Sequence, residues 1–310
     1  MEMMLQLFLL ALGFVMLVKG ADWFVDGSSA IARRFGIPQL VVGLTIVAMG
    51  TSAPEAAVSL AAAVKGNADI TIGNIVGSNI LNILIILGVS SLLTDLQVAK
   101  STIRAEIPFM LGITAVLMLL GNDGVVGRGN GLVLLLLFAL YLAYLFRMAQ
   151  KGREEIPEAT VEQPLGRCAA MTVIGLVLIV WGSNVTVDAA TALARLFGMS
   201  ERFIGLTIVA LGTSLPELFT SVNAAMKDNA DIAIGNIVGS NIFNILFVVG
   251  LSGVILPVHF ADLFIVDTLI AMAAAALLGG CCLKKEKLVS WHGVVMLVIY
   301  GAYLGWLLMK

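Results

Sequence analysis

Charged side chains are scarce in this sequence, at 12% of its 310 residues, while 60% of the residues are hydrophobic. A soluble domain of this size has too little interior to bury that much apolar surface, so most of the surrounding solvent must be lipid. Only three cysteines are present, and they form no disulfide framework. The net charge of −2 leaves no polybasic surface, which argues against a nucleic-acid partner.

Apolar runs long enough to cross a bilayer, about 20 residues each, take up nearly the whole chain. We expect ten transmembrane helices, at 3–33, 39–64, 69–93, 103–120, 129–149, 166–196, 201–226, 231–256, 262–283 and 289–309. The one long polar stretch is a short connector at 150–165. It separates a first five-helix repeat at 1–149 from a second at 166–310.

The two groups of helices carry the same sequence motifs. GTSxPE at 50–55 recurs at 212–217, 162 positions further on, and GNIVGSNI at 73–80 recurs at 235–242. An odd number of crossings per repeat turns the second repeat upside down in the membrane. The sequence therefore predicts an all-α polytopic membrane protein, built from ten transmembrane helices as two inverted five-helix repeats.

Basic residues lie mostly in the loops opposite the N-terminus. The positive-inside rule then places both termini outside and the connector in the cytoplasm of a multi-pass cell-membrane protein. Asp69 and Asp231 are expected to cap the third and eighth helices.

The repeated GTSxPE motif places a carboxylate within an apolar helix. Ala48, Thr51, Ser52 and Glu55 share one helix face, and Pro54 removes a backbone hydrogen bond beside them. The second copy supplies Ala210, Thr213, Ser214 and Glu217. Irregular backbone at membrane depth needs protein, a polar cavity or a bound cation to satisfy it.

The repeated Asn/Ser motif adds further oxygen groups at four-residue spacing. These are Asn74, Ser78 and Asn82 in the first half, and Asn236, Ser240 and Asn244 in the second. Hard cations such as Ca²⁺ bind oxygen ligands of this kind, whereas soft metals prefer thiolates. Glu55 and Glu217 together balance one divalent ion, and would be costly to leave unpaired in lipid.

With these motifs the chain resembles the cation/calcium antiporter superfamily, near the prokaryotic sodium/calcium exchangers. The resemblance implies Glu55, Glu217, Thr51 and Thr213 as Ca²⁺ ligands. It implies Na⁺ ligands from Ser52, Ser214, Ser78 and Ser240 with the carbonyls of Ala48 and Ala210, and a central position lined by Asn82 and Asn244. Some family members carry aspartate in place of Asn244, so this site has two acidic groups rather than three.

The expected function is secondary-active antiport of Ca²⁺ against Na⁺ by alternating access at a midplane site. The near alternative is Ca²⁺/H⁺ exchange with protons on the same glutamates. A channel fits an inverted repeat less well. An enzyme would need a base beside Ser52 or Ser214, whereas the only histidines, His259 and His292, lie near helix ends. No cofactor is expected besides the transported ions, and a monomer would suffice.

Overall fold

Long apolar helices make up most of the computed structural model, which describes residues 2–64, 69–153, 163–198 and 210–309. In chain order the helices are α1 (Glu2–Phe35), α2 (Gln39–Thr51), α3 (Ala53–Val64), α4 (Thr71–Leu93), α5 (Thr102–Leu120), α6 (Arg128–Arg153), α7 (Leu165–Leu196), α8 (Ala210–Gly212), α9 (Leu215–Met226), α10 (Ala230–Ile255), α11 (Asp262–Cys282) and α12 (Ser290–Met309).

Within those ranges, 8 helices are long and apolar enough to span a membrane. If the bent pair α2 and α3 counts as one further span, the number is 9. The prediction of an all-α polytopic membrane protein is confirmed. The seventh expected helix begins in 201–209, outside the described residues, so the count of ten stays a prediction. Residues 154–162 of the expected connector also lie outside them.

Helices α4 and α10 form the centre of the molecule. In the most apolar 18-residue segment of each helix, 78% of the residues are buried in α4 and 94% in α10. The corresponding shares are 17% in α1 and 28% in α7. On these outer helices large apolar side chains are exposed, such as Phe8 at 64% and Trp181 at 63%. Such a surface is stable only against lipid, which places α1 and α7 at the periphery.

The outer helices α1 and α7 pack against each other through glycines. A Cβ on Gly175 would lie 2.6 Å from the backbone nitrogen of Phe24, and one on Gly20 would lie 2.8 Å from that of Ile179. Small residues allow such close approach of backbones in membranes. Helix α1 ends at Phe35, and the residue after it, Gly36, has a φ of +64° that suits a glycine.

Two short antiparallel ladders join the halves. Strand β1 (Leu96–Gln97) pairs with β4 (Lys287–Leu288), and β2 (Val125–Val126) pairs with β3 (Val258–His259). The repeat relates β1 to β3 and β2 to β4, so each ladder is the symmetry counterpart of the other.

The expected cap at Asp231 is wrong. Asn229 precedes α10 and its side chain accepts a hydrogen bond from the Ile232 N–H at 3.3 Å. Asp231 lies one residue inside the helix. The side chain of Asp69 is outside the described part of the structure.

Candidate ion-binding site

Both copies of the GTSxPE motif interrupt a helix at the serine. Ser52 has φ −80° and ψ 7°, and α2 and α3 meet there at an angle of 49°. Ser214 has φ −92° and ψ 5°, just before α9. The following proline cannot donate to the carbonyl one turn back, which explains why the helix breaks at this point. The predicted break is present in both repeats.

The two breaks are joined by hydrogen bonds that cross between the repeats. The Ser52 hydroxyl donates to Glu217 Oε1 at 2.8 Å, and the Ser214 hydroxyl donates to Glu55 Oε1 at 3.2 Å. Glu55 is 1% exposed and Glu217 is fully buried. Each carboxylate is thus held by the serine of the opposite repeat, and both face the same interior region.

An asparagine cluster on α4 and α10 lies beside the breaks. The Asn79 and Asn241 amides donate to each other's backbone carbonyls at 3.2 Å and 3.1 Å. Their side-chain oxygens accept hydrogen bonds from Asn244 at 3.1 Å and Asn82 at 3.0 Å. These four hydrogen bonds fix the orientation of the Asn82 and Asn244 side chains. Each of these two asparagines is the first residue of a π-helical segment.

Sequence reasoning did not single out Asn79 and Asn241. Both lie within the repeated GNIVGSNI motif, but off the face that carries Ser78 and Asn82. Their recurrence in both copies was the available signal. The four-residue spacing that indicated the other site residues does not include them. Each of the two asparagines instead donates a hydrogen bond to a backbone carbonyl of the opposite helix.

The remaining expected residues surround the breaks. The Thr51 hydroxyl donates to Asn236 Oδ1 at 3.0 Å, and Ser240 donates to the Ala48 carbonyl at 3.3 Å. Ser214 and Ser78 hydroxyl oxygens lie 3.5 Å apart. Thr213 follows the short helix α8, which begins at Ala210.

Five buried oxygens of the expected site residues have no hydrogen-bond partner among the described residues: Glu55 Oε2, Glu217 Oε2, Asn82 Oδ1, Asn244 Oδ1 and Thr213 Oγ1. Neither glutamate forms an ion pair with a basic side chain of the described chain. Nor does that part of the chain hold a cluster of three or more His, Cys, Asp or Glu suited to a metal. Two carboxylates and neutral oxygens fit a hard cation, which would satisfy these acceptors.

Comparison with known proteins decides the family. Residues 5–147 and 168–309 match the sodium/calcium exchanger protein family. The chain belongs to this family. It is 31% identical over 337 residues to the sodium/calcium exchanger MaX1 of Methanosarcina acetivorans, with 96% of each chain covered. It is 39% identical over 264 residues to the inner membrane protein YrbG of Escherichia coli, covering 82% of this chain and 81% of YrbG.

A solved structure of the sodium-calcium exchanger NCX_Mj has the same fold. The TM-score is 0.86 at 31% sequence identity, over 98% of this chain and 99% of that one. The protein is therefore a cation/calcium antiporter of the sodium/calcium exchanger family, and its fold is that of a transporter rather than an enzyme.

A cavity of about 550 Å³ reaches the broken helices of this antiporter from one side. It is lined by Pro54, Ala57, Ser183, Asn184, Asp188 and Thr213, among others. Asn184 and Asp188 on α7 are exposed, so the cavity meets the protein surface between α7 and the two breaks. The Thr213 side chain is part of its wall.

The equivalent region of the other repeat is closed. Phe219 stands where the first repeat has Ala57, and its ring lies 6.0 Å from that of Phe14. Lys227, just after α9, contacts Asp22 Oδ1 at 2.5 Å and Asp26 Oδ1 at 2.7 Å on α1. Asp22 and Asp26 are the repeat counterparts of the exposed Asn184 and Asp188. The halves thus share a sequence pattern but differ in conformation.

Proposed function

We propose that this antiporter exchanges Ca²⁺ for Na⁺ at the site formed by the two helix breaks. The observation that supports it is the pair of buried carboxylates, each with an unpaired oxygen and neither with a basic partner. Two ionised glutamates left alone at membrane depth would cost several kcal/mol or more. A bound cation removes that cost, and one Ca²⁺ neutralises both.

The resemblance to the family implies a role for each of the site residues. Glu55 and Glu217, with the hydroxyls and carbonyls of Thr51 and Thr213, would bind Ca²⁺. Oxygens of Ser52, Ser214, Ser78 and Ser240 and the carbonyls of Ala48 and Ala210 would bind Na⁺. The unpaired amide oxygens of Asn82 and Asn244 would face the central position. Because Ser52 and Ser214 of the Na⁺ set donate hydrogen bonds to the two carboxylates, Ca²⁺ and Na⁺ would compete for the same negative charge.

Competition for the carboxylates couples the two fluxes. An empty site carries two uncompensated charges, which makes a closed, unloaded intermediate costly. Loading with one Ca²⁺ or with several Na⁺ lowers that cost, so the protein changes conformation only when occupied. The cavity between α7 and the two breaks supports access from one side at a time. With both termini outside, that side is the outer face of the cell membrane.

Calcium/proton exchange at the same site is the second candidate. The unpaired Oε2 atoms of Glu55 and Glu217 are positions where protons could replace Na⁺. The relatives MaX1 and NCX_Mj are both sodium/calcium exchangers, which favours sodium.

Calcium uptake into proteoliposomes tests the proposal. Uptake is measured under an outward Na⁺ gradient, an outward proton gradient, or neither. We expect uptake only with the Na⁺ gradient, and uptake with the proton gradient alone would establish the second candidate. Glu55→Gln should abolish uptake, whereas Glu286→Gln, which removes the same charge from a side chain 47% exposed, should not. Full uptake by Glu55→Gln would overturn the site assignment.

A further inference from the structure

A third carboxylate is buried in the membrane region, away from the two breaks. Glu106 lies at the end of the π-helical turn Thr102–Glu106 in α5 and is 1% exposed. Its Oε1 accepts a hydrogen bond from the Tyr144 hydroxyl of α6, and its Oε2 has no hydrogen-bond partner among the described residues. The repeat counterpart of Glu106 is Thr268, so duplication of the ion site does not account for it. A buried intramembrane carboxylate with one oxygen unpaired is a candidate functional site.

The carboxylate belongs to the wall of a separate cavity of about 290 Å³ between α5 and α6. Aromatic rings form one side of it: Phe109 and Tyr141 are stacked at 5.4 Å and 12°, and Tyr141 and Tyr144 at 6.4 Å. The Tyr141 hydroxyl is also buried without a hydrogen-bond partner in the described structure. Leu137 and Leu140 supply an apolar wall. The wall of the cavity is thus almost entirely apolar and aromatic, and the unpaired Glu106 oxygen and Tyr141 hydroxyl are buried behind it.

The second repeat has the same pair of helices, α11 and α12, but pairs its tyrosine differently. There the Tyr303 hydroxyl, equivalent to that of Tyr141, donates to Asp267 Oδ1 at 3.0 Å. The tyrosine of the second repeat is therefore satisfied within the protein. The tyrosine of the first repeat is not, although a carboxylate is close by.

The cavity lies near one membrane surface. Helix α5 begins and α6 ends on the same side, and the exposed Arg104 and Arg147 mark that edge. Arg104 is two residues before Glu106, and Arg147 is one helical turn after Tyr144. A ligand at this depth meets a negative group and aromatic rings inside the cavity, and positive charge at its rim.

A primary ammonium joined to a phosphate matches this arrangement. An ammonium has three N–H donors, enough for both Glu106 Oε2 and the Tyr141 hydroxyl, and it is attracted to aromatic faces. Arginine is well suited to bind the phosphate. A choline head group has no N–H donor and would leave both buried oxygens unsatisfied. Tyr144, 38% exposed, is the side chain able to turn aside and admit the group.

We propose that the cavity between α5 and α6 binds the head group of a phospholipid with a primary amine, phosphatidylethanolamine. The ammonium binds Glu106 and Tyr141, the phosphate lies towards Arg147, and acyl chains run along Leu137 and Leu140. The site is separate from the two helix breaks, so this binding does not depend on the proposed ion exchange.

Native mass spectrometry of the purified protein tests lipid binding. The protein is titrated with phosphatidylethanolamine, phosphatidylcholine, and soluble glycerophosphoethanolamine as a competitor. We expect at least about tenfold tighter binding of phosphatidylethanolamine than of phosphatidylcholine, the effect of losing charge-assisted hydrogen bonds. Glu106→Gln should remove this preference, whereas Asp267→Asn should retain it. Asp267 is the half-buried carboxylate that pairs with Tyr303 in the second repeat.

Two results would overturn the proposal: equal binding of the two lipids by the unaltered protein, or an unchanged preference in Glu106→Gln. Displacement of the lipid by glycerophosphoethanolamine at equal concentration would show that a soluble head group is the ligand, which also overturns it. If Glu106→Gln does not yield folded protein, Tyr141→Phe gives a second test. It should reduce the preference severalfold, and retention of the full preference counts against the site.

Discussion

Replacing Lys227 by methionine should favour opening of the closed side of the antiporter. The lysine joins the end of α9 to Asp22 and Asp26 on α1. The counterparts of these two acids in the other repeat are exposed at the cavity. Opening the closed side requires α1 and α9 to separate, as α7 and the breaks are separated by the present cavity. Methionine keeps the length of the side chain and removes both ion pairs.

The size of the effect follows from exposure. The Lys227 side chain is 31% exposed, and those of Asp22 and Asp26 are 34% and 48% exposed. Pairs so open to solvent contribute about 1 kcal/mol at most. Removing them should change the ratio of the two conformations by about fivefold. Burial lowers the pKa of Lys227, but its bonds to Asp22 and Asp26 outweigh this and raise it above the ordinary value. The stabilising charge is therefore fully present at neutral pH and is lost only as pH rises through the raised pKa.

The rate of thiol labelling measures this change in the ratio of the two conformations. The labelled protein is a variant in which the three native cysteines are replaced. Thr220 is fully buried on the closed side, and its repeat counterpart Val58 lines the open cavity. Lys227→Met should accelerate labelling of Thr220→Cys about fivefold and slow that of Val58→Cys. Lys100→Met, at an exposed ion pair, is the control. If Thr220→Cys reacts at the same rate with and without Lys227, the ion pairs do not hold this side closed.

Three further predictions concern the site and the packing of the outer helices. Ser214→Ala should weaken Ca²⁺ binding about fivefold by calorimetry, since it removes one hydrogen bond to a site carboxylate; unchanged affinity would show that this bond does not orient the ligand. Asn244→Asp should tighten Ca²⁺ binding about tenfold, because a third carboxylate would join the unpaired oxygens; an unaltered titration would place residue 244 outside the site. Gly175→Ala should destabilise the protein by about 1–3 kcal/mol, since its Cβ meets the α1 backbone. Gly166→Ala on the same helix meets no atom within 4 Å and should leave the melting temperature unchanged.

The sequence was sufficient to predict the break in each helix and the faces that carry the site. Proline chemistry acts locally, so Pro54 and its repeat counterpart disrupt the backbone whatever surrounds them. Helical spacing likewise places Ser52 and Glu55 on one face. The crossing serine–glutamate bonds depend on how two distant segments meet, which spacing within one helix does not specify.

Other features could not be predicted because they depend on tertiary contacts or on conformation. Asn79 and Asn241 act through backbone carbonyls of the opposite helix, so their own helix face gave no indication. The ion pairs of Asp22 and Asp26 are with Lys227, which is about two hundred positions away in the sequence. A repeated sequence is symmetric by nature, and it carries no information on which side of the molecule is open.

The crossed serine–glutamate bonds also bear on the ancestry of the protein. Neither repeat supplies the serine that holds its own glutamate, so half a molecule has an incomplete pocket. An ancestral unit of that length would have needed a twin inserted the other way up, and gene fusion would have fixed the pairing. Produced as separate polypeptides, 1–149 and 166–310 should acquire ion binding only when they are synthesised together in one membrane.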